Sequence, residues 1–223
     1  SNCYSGLWGS LIGMPYGLVS ELGTDLWTFP YNNHGSYKQL IAYEEFANDV
    51  NIVRNTWELA WGPIKDCNKV IQLASELEDG EPADIAILSA EARFLRAYFY
   101  SVLVAQFGEV PLVLEGDPLH SLTPKRNSLA EVYTQILADL RVAFNTLPVK
   151  PYDDNPGRVT KKAALGIMAR VYAQGAGEGL SEGGKTYWIR AKEVADSLIT
   201  YQSTYNATLY NDFAEVFASA NNR

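Results

Sequence analysis

Residues 179–186 read GLSEGGKT, which satisfies G-x-x-x-x-G-K-[ST], the spacing with which backbone amides and one lysine cradle nucleotide phosphates. Gly179, Gly184, Lys185 and Thr186 hold the fixed positions. That chemistry needs a buried strand before the glycines and a helix after them. Here an Ala-rich helical run precedes them, ending in Gly175, Ala176, Gly177 and Glu178. Five of the ten residues from 175 to 184 are glycine, so a glycine pattern arises by chance. No downstream strand ends in Asp to hold magnesium. The stretch is expected to be a flexible loop between two helices, with Thr186 capping the second and Lys185 in solvent.

A second stretch suits a different chemistry. TDLWTFPYNNHGSY (24–37) gathers Trp27, Phe29, Tyr31 and Tyr37 with Asn32, Asn33 and His34, in a segment broken by Pro30 and Gly35. A flat ring covers the apolar face of a pyranose, and amides or imidazole bond its hydroxyls. These seven residues are the candidate ligand contacts; the structural alternative is that Trp27 and Phe29 pin the loop to the core.

Other constellations carry less. His34 and His120 are the only histidines, and neither sits in a zinc-binding pattern. No metal or cofactor is expected. There is no G-x-S-x-G elbow. Glu44-Glu45 and Asp153-Asp154 are carboxylate neighbours in sequence, whereas a glycosidase needs two carboxyls facing each other across a cleft. Solvated charge is the expected role, and no catalytic residue is assigned. Arg93 and Arg96 are expected to pair with acidic residues or cap carbonyls. Cys3 and Cys67 form no metal pattern; they suit one disulfide or, as the favoured reading, two buried thiols.

The elements that must position these residues are helical. In 51–77, Trp57, Trp61, Ile64, Asn68 and Ile71 recur three or four apart, with a kink or break expected at Gly62-Pro63. EDGEPAD (78–84) reads as a polar turn. Residues 86–107 are apolar on two faces, one with Ala90, Phe94, Ala97, Tyr98 and Ser101 and one with Leu95, Phe99, Val102 and Leu103. Such a helix is sandwiched between neighbours. Gly108 and Pro111 end it, and Val110 to Leu114 is extended. Ser128-Leu-Ala-Glu131 is a capping box that opens a helix to about 146, with Val132, Ile136, Leu140 and Phe144 buried. Thr160 is placed to cap a helix bearing Ala164, Met168, Val171 and Gly175, and 187–199 is helical again, with Trp188, Ala191, Ala195, Leu198 and Ile199 apolar. The end, LYNDFAEVFAS, suits one short helical turn.

Ala90-x3-Phe94-x2-Ala97, Met168-Ala169-x2-Tyr172 and Trp188-x2-Ala191 fit pieces of a tetratricopeptide repeat. Together they predict an all-α chain of stacked antiparallel helix hairpins. With 223 residues, 47% of them hydrophobic, the chain has ample material for a core. Its net charge of −8 repels phosphate backbones and argues against nucleic acid. No apolar run reaches the ~18 residues of a membrane span.

The run AEARFLRAYFYSVLVAQFGEVPLV (90–113) resembles the most diagnostic stretch of SusD/RagB-type proteins. Trp57-x3-Trp61-x2-Ile64-x3-Asn68, VYTQILADLRVAFNTLP (132–148), GRVTKKAALGIMARVY (157–172) and YWIRAKEVADSLI (187–199) resemble further family segments in the same order, over roughly 20–217. The resemblance implies a tetratricopeptide-like right-handed superhelical layer. It implies one domain over 1–223, equivalent to the family's N-terminal helical half. It also implies a non-enzymatic, lipid-anchored protein of the outer cell surface in Bacteroidetes-type bacteria. Such a protein captures an oligosaccharide or other nutrient for a SusC-like TonB-dependent transporter. The family's ligand contacts often follow its T-D-(L/E) element, which supports the 24–37 region. Cys3 is not assigned the lipid anchor, which is expected upstream. Two other functions compete: a helical-repeat scaffold that binds protein, and an α/α-toroid glycoside hydrolase.

Overall fold

A computed structural model describes residues 2–7, 22, 24–25, 35–43, 51–117, 124–210 and 212–217. The chain is all-α in character, and it divides into two compact units, Ser1–Val142 and Ala143–Arg223.

The first unit holds α1 (Asn2–Gly6), α2 (Gly35–Ala42), α3 (Asn51–Glu76) and α4 (Pro82–Phe107). α3 and α4 form a helix hairpin, with α1 packed on α3. On α3 the predicted face is the one turned inward: Ile64, Asn68 and Ile71 are buried, joined by Ala60 and Cys67. The expected break at Pro63 does not occur, and α3 runs unbroken through it. Proline removes one donor from the ladder. The buried Ala60, Ile64 and Cys67 on either side hold both halves of the helix in place.

α4 begins at Pro82, four residues before the apolar pattern that announces it, so the polar turn is shorter than EDGEPAD suggests. Proline suits the first turn, where its missing N–H would be unpartnered anyway, and Asp84 faces the positive end of the helix dipole. Both predicted faces are buried, through Ala90, Phe94 and Ala97 on one side and Leu95, Phe99 and Leu103 on the other. Gly108 ends the helix at φ 69°, and its N–H bonds the Val104 carbonyl.

α5 (Leu129–Thr146) starts at the predicted box. Ser128 donates from its backbone N–H to Glu131 Oε2 at 2.8 Å, and the Glu131 N–H returns a bond to Ser128 Oγ at 3.3 Å. Val132, Ile136 and Leu140 are buried as the spacing requires. Phe144 is only half-buried, edge-on to Tyr205, with the Lys161 ammonium over its ring.

The second unit contains a 3-10 turn at Tyr152–Asp154 and a hairpin of α6 (Lys161–Gly177) and α7 (Tyr187–Thr200). Thr160 and Thr186 stand at the two N-cap positions, but neither side chain makes the expected cap bond. Tyr187 is the buried aromatic that opens α7, edge-on to Tyr172 at 5.0 Å, whereas Trp188 is 60% exposed. A 3-10 turn at Phe213–Phe217 fills the place of the predicted final helical turn.

The glycine-rich stretch is not a slack loop. It folds into a β-hairpin of β1 (Ser181–Glu182) and β2 (Lys185–Thr186), paired antiparallel. Gly183 and Gly184 form its turn at φ 57° and 75°. A two-residue turn of this hand matches strand twist and requires positive φ at both positions, which glycine supplies. Lys185 is half-exposed but pairs with Glu193, and Arg190 reaches both Glu193 Oε2 at 3.1 Å and the Glu182 carbonyl at 3.3 Å. Tyr172 completes the clasp by donating to Glu182 Oε2 at 2.8 Å.

Candidate functional site

Of the seven predicted ligand contacts, Trp27, Phe29, Tyr31, Asn32, Asn33 and His34 lie outside the described residues, as do His120 and Glu44-Glu45. Tyr37 is described. It sits half-buried on α2 and packs against a small apolar cluster of Leu22 and Leu40, together with Ile41 and Val53. Its ring therefore anchors α2, the helix that begins within the 24–37 stretch.

The described part of the first unit is organised around a buried charge. Arg96 is 0% exposed. Its guanidinium grips Asp139 of α5 through Nε to Oδ2 at 2.7 Å and Nη2 to Oδ1 at 2.8 Å. Nη1 donates to Asn68 Oδ1 of α3 at 2.8 Å and to Glu115. Arg93, one turn away on α4, adds bonds to Asp139 at 3.2 Å and Glu115 at 3.4 Å. Both arginines are thus pairing residues, as expected. Burial opposes the Arg96 charge, but the bonds to Asp139 and Glu115 outweigh it and hold the guanidinium more firmly protonated than usual. Burial also works against the Glu115 carboxylate, yet its Arg96 bond keeps its pKa below the usual range.

This hub fixes the extended run after α4. Asn68 Nδ2 donates to the Val113 carbonyl at 2.9 Å. The Tyr100 hydroxyl donates to the same carbonyl at 2.9 Å and accepts the Val113 N–H at 2.8 Å. Burial pushes the Tyr100 phenol up to about 12, so it stays neutral and able to donate at any ordinary pH. Next to it, Trp57, Trp61, Phe107 and Tyr100 meet ring to ring, with centroids 5.1 to 5.9 Å apart. The W-x3-W spacing of α3 therefore builds an aromatic cluster against α4.

Two open grooves flank the hub, and Glu115 lines both. One, of about 390 Å³, runs between α3 and the 114–117 turn and is lined by Lys65, Asp66, Lys69, Gln72 and Asp117. The other, of about 430 Å³, lies at the α3–α4 turn, with Ile71, Leu77, Pro82 and Ile85 as apolar walls and Arg93 at one end. Sequence reasoning missed both. Lys65, Lys69 and Gln72 do recur at helical spacing, but the far wall comes from a turn some 45 residues onward, as the Asn68–Val113 bond shows. Chemically, the polar groove offers amide, ammonium and carboxylate groups for hydrogen bonding to a polyol or peptide. Among the described residues no group of three or more His, Cys, Asp or Glu could hold a metal ion. Asp153 and Asp154 lie exposed in one 3-10 turn.

Helix hairpins, the first of them held by a buried ion-pair hub, define a helical fold of the tetratricopeptide-like class. Within that class the assignment is specific: residues 24–173 match the SusD-like family, described as starch-binding and associating with the outer membrane, and the chain belongs to it. It is 29% identical over 177 residues to SusD-like protein P2 of Formosa agariphila, a match covering 76% of this chain and 32% of that relative. Surface glycan-binding protein A of Bacteroides fluxus is similar in structure at TM-score 0.60 and 27% identity, over 75% of this chain and 34% of that one. A SusD superfamily protein of Bacteroides vulgatus shares the fold at TM-score 0.82 and 19% identity, over 98% of this chain and 45% of that one. The match spans about a third or less of the length of the curated relatives, 32% of one and 26% of another.

Proposed function

We propose that this chain is the N-terminal helical domain, residues 1–223, of a cell-surface protein that captures a glycan, or another nutrient, for import by a SusC-like TonB-dependent transporter. The observation that carries this reading is the family match over 24–173, which takes in the α3–α4 hairpin and its hub. The relative from Bacteroides fluxus is itself named a surface glycan-binding protein. In this reading the protein is not an enzyme and reaches the outer membrane through a lipid anchor on the parent. No helix among the described residues is long and apolar enough to cross a membrane.

The binding face is proposed to be the 24–37 stretch. Trp27, Phe29, Tyr31 and Tyr37 supply ring faces for sugar C–H groups, and Asn32, Asn33 and His34 bond hydroxyls. α2 begins inside this stretch, at Gly35, and is anchored by the packing of Tyr37 and Leu40. Calorimetric titration of this chain and of the longer parent against a polysaccharide panel tests the reading. Binding of at least one glycan, weakened about tenfold or more by Trp27→Ala, is the expected result. Turnover of the glycan would refute a binding-only role, and unchanged affinity in Trp27→Ala would refute the site.

A further inference from the structure

Cys3 on α1 and Cys67 on α3 stand 64 positions apart in the chain, yet both are buried where the two helices pack. Neither is in a disulfide. The neighbouring Cys3 thiol, together with burial, pushes the Cys67 thiol well above its ordinary range. Cys67 is therefore a poor nucleophile while α1 is seated. Nothing in the proposed glycan site or the Arg96 hub uses either sulfur.

We propose that Cys3 and Cys67 are a latent disulfide site, a redox staple that locks α1 onto α3 when the protein meets a small-molecule disulfide. Two buried thiols on helices packed against each other need only a small shift to reach the ~2.05 Å sulfur–sulfur bond. That shift falls on α1, a helix of only five residues. The exchange is balanced. One cysteine loses its proton, and its thiolate attacks the reagent disulfide and displaces one reagent thiolate. The second cysteine, deprotonated in turn, attacks the mixed disulfide and releases the other. The protein loses two hydrogens and two electrons, and the reagent is reduced to two thiols. Because the pair is shielded, the first attack waits on a local opening of α1, so the reaction is slow in the native state and fast once α1 lifts. The product ties a long loop, so it removes conformational freedom from the unfolded chain.

The test equilibrates the chain with oxidised glutathione, once under native conditions and once in mild urea that is then dialysed away. Intact mass is read without reductant. The expected product is a monomer lighter by about 2 Da, giving one cross-linked Cys3–Cys67 peptide, with a melting temperature raised by about 5 °C or more. Formation is expected to be at least tenfold faster in urea. Cys3→Ser, which leaves one thiol, is expected to stop at a glutathione adduct on Cys67. Stable glutathione adducts on wild-type protein, disulfide-linked dimers, or two thiols still free after the urea treatment would each overturn the proposal.

Discussion

Arg96 and Asp139 meet as a parallel two-bond fork, Nε to Oδ2 at 2.7 Å and Nη2 to Oδ1 at 2.8 Å, with both side chains sealed from solvent. A buried pair of this kind contributes little net stability over an apolar substitute, because desolvation offsets the attraction. Breaking it is another matter. Asp139→Ala leaves a buried guanidinium short of its main partner and is expected to cost about 3–5 kcal/mol. Urea unfolding of the variant checks this; a loss under about 1 kcal/mol would mean that water reaches the hub. Arg96→Lys is expected to be damaging too, since an ammonium cannot reproduce the fork.

Glu115 gives the hub an acid limb. Its folded pKa lies below the ordinary value of 4.5 despite partial burial, because Arg96 bonds the charged form. A depressed carboxylate contributes stability that is present above its unfolded pKa and lost as pH falls through the folded one. The stability gap between wild type and Glu115→Gln is therefore expected to be full at neutral pH and to close below about 4.5. Unfolding midpoints measured from pH 7 down to pH 3 decide it, and a gap that ignores pH would count against the ion pair.

Tyr100 acts at the other end of the scale. Its phenol is raised from 10.0 to about 12, chiefly by burial. A raised pKa means stability that is complete below the unfolded value and lost as pH climbs through the folded one. Between pH 10 and 12 the wild type is expected to lose stability more steeply than Tyr100→Phe. At neutral pH the same variant is expected to be weaker by about 1–3 kcal/mol, because the Val113 N–H loses its acceptor. Equal alkaline slopes in the two proteins would refute the role given to the hydroxyl.

The glycine hairpin is testable by single methyl groups. Gly184→Ala forces a Cβ onto φ 75° and is expected to cost about 1 kcal/mol. Gly183→Ala is expected to cost more, since its Cβ would sit 3.0 Å from Arg190 Nη2 and displace the bond to the Glu182 carbonyl. Gly184→Asn should be the mildest change, because Asn tolerates this backbone and nothing lies within 4 Å of that Cβ. Thermal unfolding ranks the three. Lys185→Ala is expected to cost under about 1 kcal/mol, as an exposed ion pair does, and titration with magnesium ATP should give no binding heat before or after it.

What the sequence disclosed was local. Ser128 and Glu131 lie three apart, Gly108 ends its own helix, and the two faces of α4 follow from spacing alone. Pairing across the chain was legible only as a class: Arg96 plainly wanted an acid, but Asp139 is 43 positions away and nothing in the pattern selects it. Gly183-Gly184 was misread as slack because a hairpin turn is recognised by its flanking strands, and two-residue strands leave no alternation to read. Trp188 and Ile199 were read with the apolar residues of α7, but both are exposed, and Tyr187 is the buried aromatic there, against Tyr172. Of the ligand contacts, Tyr37 alone falls within the described residues, and it packs on Leu22 and Leu40. The two grooves were invisible because Glu115, which lines both, is brought to α3 by folding and not by sequence.

The hub also has a meaning in time. Asn68, Arg96, Glu115 and Asp139 come from three helices and a connecting turn, separated by 19 to 43 positions from Arg96. Until α5 delivers Asp139, burying Arg96 would leave its charge with Glu115 and Asn68 but without its two-bond partner. The α3–α4 hairpin can form early, but its inner end must stay wet until α5 docks. Completion of the hub is thus expected late on the folding path, which a φ-value near zero for Asp139→Asn would show.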